Sequence, residues 1–447
     1  MIGFKTTCYP NNEQKNTLSQ WIGCQRVIKN SKIAEWKELE KNKTDHSVRI
    51  KPNKRCAQFS KDKPFLKEVP SQILRNGAYL WNKTLIKSFK GECGRPQFQK
   101  KSNKESVLIT KELYKFKRRG NKTVLILGTK KFPVGEIAFD RHELFNIPNS
   151  IVITKEKSGK WSLSFCHDDG LVLEPIAPIP GAIETLDLDK LVKGYDRGVV
   201  IPFAGTDRNF EFTIKEKSRL KELDIRKRRH QRRASKCKKG GKNKKRWSRK
   251  KAKAEAKAAC IRNNFAHHTS RTIVDSDAQV IVFENLKLKN LTASAKGTLD
   301  NPGRNVRQKA GLNRALLGGA LGSTLTFTKY KAKKLGKFVL LVDPKNTSRE
   351  CPQCGHIHPD NRKNQSQFLC VKCGHADNAD RNAAYNIENR ARKIIRDLGT
   401  GLTLSETMEI IASVENCKSG TRQKRTGKIS KNLGNQEGKT KITEEPS

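Results

Sequence analysis

Two Cys-x-x-Cys pairs, Cys351-Pro-Gln-Cys354 and Cys370-Val-Lys-Cys373, constrain this chain more than any other feature. Fifteen residues separate them, the spacing of a zinc ribbon. Each pair sits on a tight turn, and four thiolates close a tetrahedral shell around one Zn²⁺. Gly355 and Gly374 follow directly, where such a turn needs a residue tolerant of positive φ. Asp380 then opens Asp380-Arg-Asn-Ala-Ala-Tyr-Asn-Ile387, the start of a predicted helix. A ribbon just ahead of a helix that begins with an acid points to a positioned carboxylate.

Charge narrows the partner. Among 447 residues there are 93 Lys and Arg against 44 Asp and Glu, a net +49. Solubility of a small domain needs a net charge of only about 2–8, so this excess points to a polyanion. No apolar run approaches the ~18 residues of a spanning helix, and the opening Met1-Ile-Gly-Phe-Lys-Thr-Thr-Cys8 has no secretory apolar core. The eight cysteines outside the two pairs are scattered and read as free thiols, which predicts a reducing, cytoplasmic location.

Periodicity divides the chain. A short strand ends at Pro10, Asn11-Asn12 offers a helix cap, and apolar residues from Leu18 to Trp36 recur at helical spacing to about residue 40. A second helical block covers about 70–90. Residues 105–183 read as β, with strands at Val124–Leu127, Ile151–Ile153 and Trp161–Phe165. Pro175, Pro178 and Pro180 punctuate a linker. An α/β region follows. Lys193–Phe203 is predicted as a strand with Phe210–Ile214 as its hairpin partner. Ala278–Leu286 reads as a second strand, 306–335 as one helix and Phe338–Val342 as a third strand; 381–396 is the last helix. Beyond about 415 the chain is poor in apolar residues and reads as a disordered basic tail.

Three acids stand out by position. Asp196 lies among apolar residues and glycines, Glu284 ends a Val-Ile-Val-Phe run, and Asp380 starts the helix after the ribbon. Each has a plainer reading: a turn former before Gly198, a strand-end surface residue, and a helix N-cap. Asp377 competes with Asp380. Together they point to a nuclease centre, where three converging carboxylates hold two Mg²⁺ ions for phosphodiester hydrolysis. Between Arg226 and Lys257 there are 18 Lys or Arg among 32 residues, against the single acid Glu255. Arg226, Arg228, Arg229, Arg232, Arg233, Lys244, Lys245 and Arg246 are the candidate phosphate contacts there, in a Gly240-Gly241-broken helical stretch. Trp247, among these cations, is the candidate base-stacking residue.

Gly194-Tyr-Asp196-Arg-Gly198, Val282-Phe-Glu284-Asn-Leu286 and Asp380-Arg-Asn-Ala-Ala-Tyr-Asn-Ile387 resemble the three split motifs of a RuvC-like nuclease. Thr347-Ser-Arg-Glu-Cys351-Pro-Gln-Cys354 resembles the ribbon inserted before the third. The whole resembles the TnpB family, RNA-guided endonucleases of insertion sequences related to compact type V CRISPR effectors. Tyr9-Pro-Asn-Asn-Glu-Gln14 is similar to that family's opening, whereas Tyr195 stands where an aliphatic residue is usual. The resemblance implies an α/β multi-domain fold. A β-barrel wedge (1–10 and 95–183) would carry an inserted helical recognition lobe (11–94). An RNase H-like RuvC domain (184–345 and 376–414) would hold a zinc ribbon (346–375), and 415–447 would be the tail. It implies Asp196, Glu284 and Asp380 as the catalytic triad on two Mg²⁺, and Cys351, Cys354, Cys370 and Cys373 on one structural Zn²⁺. His356, His358 and His375 are spare donors that four cysteines make unnecessary. The implied partners are a guide RNA and target DNA, double- and single-stranded, engaged as monomer or dimer, and no membrane. A type V effector, a non-cutting guide-directed repressor and a DNA-joining transposase are the alternative readings.

Overall fold

The computed structural model describes residues 2–42, 54–101, 104–120, 122–140, 145–167, 181–298, 300–364 and 366–412. The predicted tail and the linker prolines Pro175, Pro178 and Pro180 lie outside them. The chain divides into two units, Met1–Ala177 with Asp187–Arg392, and Pro178–Leu186 with Lys393–Ser447. In the smaller, the Ile183 N–H donates to Leu402 O at 3.0 Å and Gly401 N–H to Glu184 Oε1 at 2.8 Å.

β1 (Ile2–Tyr9) runs straight into α1 (Asn12–Lys41). Pro10 cannot donate to a ladder, and Asn11 then closes a capping box with Gln14, each side chain accepting from the other's backbone N–H. The next long helix, α2 (Ser71–Phe89), also forms as its apolar spacing predicts. β2 (Lys104–Thr110), β3 (Tyr114–Arg119), β4 (Lys122–Gly128), β5 (Pro133–Phe139), β6 (Ser150–Glu156) and β7 (Trp161–His167) follow. With β1 they form one antiparallel sheet of order β2-β6-β7-β1-β5-β4-β3. The first strand is central: it pairs with β7 from Ile2↔His167 to Cys8↔Trp161 and with β5 at Cys8↔Phe139.

The helices share this sheet's core. Leu18, Trp21, Ile28 and Ile73 are buried in one cluster with Val107, Ile137 and Leu163. Ile33, Trp36, Trp81 and Leu85 make a smaller cluster of their own between α1 and α2.

A second sheet carries the acids. β8 (Val192–Asp196), β9 (Phe203–Gly205), β10 (Asn209–Phe210), β11 (Val280–Glu284) and β12 (Phe338–Val342) order as β10-β9-β8-β11-β12. β9 pairs antiparallel with both β8 and β10, and β11 runs parallel to β8 and β12. The predicted strand through Phe203 is therefore broken. The chain turns after Asp196, and β9 is the hairpin partner. The expected partner at Phe210–Ile214 loses its end to a helix, because Thr213 and Glu216 form a capping box that starts α3 (Ile214–Ser235). α3 and α4 (Lys242–Val274) make a long helical hairpin, joined by a turn at Gly240 (φ 84°). The single helix expected over 306–335 is two, α5 (Val306–Gly318) and α6 (Leu321–Lys334). Gly318-Gly319 is the weakest helical point, and Ala320 sits at φ 56°. The last helix, α7 (Ala379–Gly399), is longer at both ends than its periodicity predicts. No helix among the described residues is long and apolar enough to cross a membrane.

Gly77 marks a close approach of α1 to α2. A Cβ there would lie 2.7 Å from Gln25 O and 3.1 Å from Ile28 Cβ. Ala gains about 1 kcal/mol of helix propensity over Gly, but overpacking against a backbone carbonyl costs about 1–3 kcal/mol. Gly77→Ala is expected to lower the urea midpoint, and an unchanged or raised midpoint would show that the helices yield.

Candidate active site and metal centre

Asp196 and Glu284 end neighbouring parallel strands. The β8–β11 register pairs Phe283 with Tyr195, so the next residues on each strand are the two acids, side by side at the carboxyl ends where α/β sheets present their sites. Tyr195 is buried and packs against Phe283 and Phe210, with ring centroids 5.8 and 6.0 Å away. Its ring occupies space that only a glycine at 205 leaves open, since a Cβ there would meet it at 2.9 Å. An aromatic residue before the first acid is thus accommodated by this sheet.

Asp380 arrives on α7, which lies directly on β8. A Cβ at Gly194 would meet Ala384 O and Glu388 Cγ, both at 2.8 Å. Ala383 and Ala384 are buried on the same helix face. Glu388, 1% exposed, accepts from the Gly194 N–H at 3.1 Å and Thr206 Oγ1 at 2.8 Å, and pairs with Arg392 at 2.8 Å. Asn382 and Asn386 on this helix donate to Glu350 O at 3.0 and 2.7 Å. Asn386 also donates to Thr347 O at 2.8 Å. The small and amide residues of the post-ribbon motif therefore hold the helix to the sheet and to the segment entering the ribbon.

The helix cap is Asn378, not Asp380: Asn378 Oδ1 accepts from the Asp380 and Arg381 N–H groups at 3.0 and 3.2 Å. Asp377 is occupied by Arg381 Nε at 2.7 Å. Asp380 is left close enough to Asp196 for its charge to raise that carboxyl. Its Oδ1 lies 3.2 Å from Arg362 Nη2, a residue of the ribbon.

The electrostatics follow from this convergence. Burial, then the charges of Glu284 and Asp380, push the Asp196 carboxyl up to about 7. Burial also raises Glu284, against the Thr347 hydroxyl that donates to it and the nearby Arg197 guanidinium. Arg197 is 5% exposed. Its backbone N–H donates to Asp196 Oδ1 at 2.8 Å and its Nη2 to the Glu284 carbonyl. Thr347, Arg197 and Arg362 carry no sequence signal of this role beyond adjacency to motif residues. Hard oxygen donors with unmet negative charge fit Mg²⁺.

The four cysteines come together. Their sulfurs lie within 4.8 Å of one another, with Cys351–Cys373 and Cys354–Cys370 both at 3.6 Å. Metal–sulfur bonds of about 2.3 Å place tetrahedral ligands about 3.8 Å apart, so the set fits one zinc ion. Both turns share one construction. Gly355 (φ 69°) and Gly374 (φ 74°) donate back to Cys351 O and Cys370 O at 2.9 and 3.0 Å. Asn361, buried between the turns, donates to Arg349 O and His356 O and accepts from the Val371 N–H. His356, His358 and His375 are outside this set.

Four of the eight basic candidates line one groove. Arg228, Arg229, Arg232 and Arg233 border a groove of about 630 Å³ on α3. Arg226 and Arg228 pair with Glu222 and Asp224 just upstream of the counted stretch, so part of the charge imbalance is offset locally. Lys245 and Arg246 are exposed on α4 and Lys244 is half-buried. Trp247 is half-buried: His230 stacks on it at 5.6 Å, and Arg233 and Lys250 lie 4.7 Å from its ring. Nothing in the neighbouring sequence marks that partner, because His230 comes from the facing helix.

Comparison with known proteins adds an independent line. Residues 322–387 match the family described as Cas12f1-like, TNB domain. Residues 1–44 match a helix-turn-helix domain family, although here they form β1 and α1. The chain is 26% identical over 393 residues to a putative RNA-guided DNA endonuclease InsQ of Escherichia coli, covering 86% of this chain and 90% of that one. It is 48% identical to the CRISPR-associated endodeoxyribonuclease Cas12f1 of Sulfoacidibacillus thermotolerans over 58 residues, 13% and 14% of the two chains. The solved mini-RNA-guided endonuclease CRISPR-Cas_phi3 aligns at 12% identity and a TM-score of 0.49, over 88% of this chain and 92% of that one.

Two outcomes follow. Asp196 is raised from 3.8 to about 7 in the fold, so between those values the metal-free folded state binds more protons than the unfolded one. Stability then falls as pH rises through that window. Asp196→Asn is expected to be more stable than the parent at pH 8 without metal, and equal to it near pH 3 in thermal melts. Chelating zinc or replacing Cys351 with Ser is expected to release one equivalent of metal and open the ribbon, read as new protease cleavage within 346–375 while the first sheet stays protected.

Proposed function

We propose that this chain, TnpB-like across most of its length, is an RNA-guided DNA endonuclease that hydrolyses phosphodiester bonds in target DNA. The reading is supported by Asp196 and Glu284 at the ends of neighbouring strands, with Asp380 near enough for its charge to act on Asp196, beside a four-cysteine cluster. The likeness to the InsQ protein over 86% of the chain supports the insertion-sequence type of this activity.

The second sheet supports an RNase H-like, RuvC-type nuclease domain. Its first three strands are antiparallel in order β10-β9-β8, and β11 and β12 join in parallel. The first sheet, with β1 closing into its middle, supports the wedge of residues 1–10 and 95–183, and α1 and α2 the helical lobe of 11–94.

Asp196, Glu284 and Asp380 would hold two Mg²⁺ ions, which supply activation of water and charge stabilisation of the leaving oxygen when bound. The chain's own residues prepare that site. Thr347 and Arg197 fix the Glu284 carboxylate and its strand end. Arg362 balances Asp380 and brings a guanidinium suited to phosphate beside the reacting centre. The exposed arginines of α3 and lysines of α4 would bind nucleic-acid backbone without reading sequence.

The test is reconstitution with the RNA that copurifies from the native locus. The complex is expected to cut a matched plasmid in Mg²⁺. Asp196→Ala is expected to bind the target while losing cleavage by about a thousandfold or more, and Arg362→Ala to lose part of it. Cleavage by Asp196→Ala at the parent rate would sink the assignment of the triad. Cutting that needs no RNA would sink the guided reading.

A further inference from the structure

A cavity of about 440 Å³ opens between α1, α2 and the start of β2. Its floor includes Ile22 and Leu80, and Phe98-Gln99-Lys100 forms one wall. That wall is fastened down. The Asn30 side chain donates to Gln99 O at 2.9 Å and accepts from the Gln99 N–H at 2.8 Å. Lys37 Nζ lies 4.6 Å from the Phe98 ring centroid, and Arg95 pairs with Glu40. A pinned wall has lost its disorder before any ligand arrives, which lowers the cost of binding.

The charges inside are unequal. Arg26 and Glu105 pair at 2.6 Å and cancel. Lys29 and Lys100 have no carboxylate partner among the described residues. Lys29 is half-buried, and burial lowers its ammonium from the usual lysine range. A desolvated cation without a counter-ion is costly, so an anion entering here relieves a penalty already present. The rest of the lining differs in kind. Leu80 and the half-exposed Phe98 offer apolar and aromatic surface. The Gln99 amide and Ser106 hydroxyl have no side-chain hydrogen bond among the described residues.

We propose that this cavity binds one nucleotide, its phosphate on Lys29 and Lys100 and its base against Phe98 and Leu80, with Gln99 and Ser106 at the base edge. A bare phosphate would leave the apolar wall and the amide unused, and an apolar ligand would leave both ammoniums unpaired. Aromatic surface beside a cation is what a base and its phosphate use together. The source is either a free nucleoside monophosphate or one unstacked nucleotide of a bound single strand. The inference goes beyond the nuclease reading and does not depend on it, since no residue of the cavity lies on the second sheet or the ribbon.

Equilibrium dialysis of the full chain, freed of nucleic acid and without Mg²⁺, tests it. The probes are labelled UMP and AMP, inorganic phosphate, and a short single-stranded oligonucleotide with or without one abasic position. Lys29→Ala with Lys100→Ala is expected to weaken mononucleotide binding about tenfold or more, Lys29→Arg to restore most of it, and melting temperatures to stay together. If only the oligonucleotide binds, loses affinity when abasic, and loses it in the same variant, the strand is the source. Phosphate bound as tightly as UMP, or a double variant that binds like the parent, would overturn the proposal. Because no cleavage is read, its failure leaves the nuclease reading standing, and loss of the triad assignment leaves this one untouched.

Discussion

Like charge gathered in a buried place is the interaction on which the rest of this structure depends. Asp196 and Glu284 end adjacent strands, and Asp380 is brought to them by a helix. Left alone, three carboxylates would repel, and burial would neutralise them. The fold opposes this with cations and donors from other elements: Arg197 beside the first acid, Thr347 on Glu284, and Arg362 on Asp380. Two of these three belong to the segment that leads into or forms the ribbon. The segment that carries the four cysteines is thus joined to the acids by these contacts.

That joint explains the composition of the post-ribbon helix. Ala384 is small where α7 touches β8 at Gly194, and no Cβ fits there. Asn382 and Asn386 are amides because the chain entering the ribbon presents bare carbonyls that need donors. Glu388 is buried at almost no exposure because Gly194 N–H, Thr206 and Arg392 satisfy it. A motif that reads as a catalytic acid followed by filler is mostly a docking face, with the acid at its exposed end.

The long elements were legible because their signals are local. α1 and α2 follow apolar spacing, and the capping box at Asn11 lies within four residues. The ribbon was legible because its ligands lie in two short pairs. Errors came where local patterns competed. The alternation at Phe210–Ile214 resembles a strand, but the Thr213–Glu216 box starts a helix there. The plainer reading of Asp380, a helix cap, gives way because Asn378 takes that place. Trp247 looks partnered only by cations until α3 supplies His230.

The sequence by itself determined the two cysteine pairs, the excess of positive charge, the helices of regular period and the three acids as candidates, since each is a matter of residue type and short spacing. Only the tertiary structure decided that β1 joins the middle of a sheet whose other strands begin a hundred residues later. It alone decided that Arg362 and Thr347 reach the acids, and that Lys29 and Lys100 face one cavity. Those facts depend on which strands pair and how closely helices approach, and pairing across such distances is set by the packing of the whole core rather than by any window of the chain.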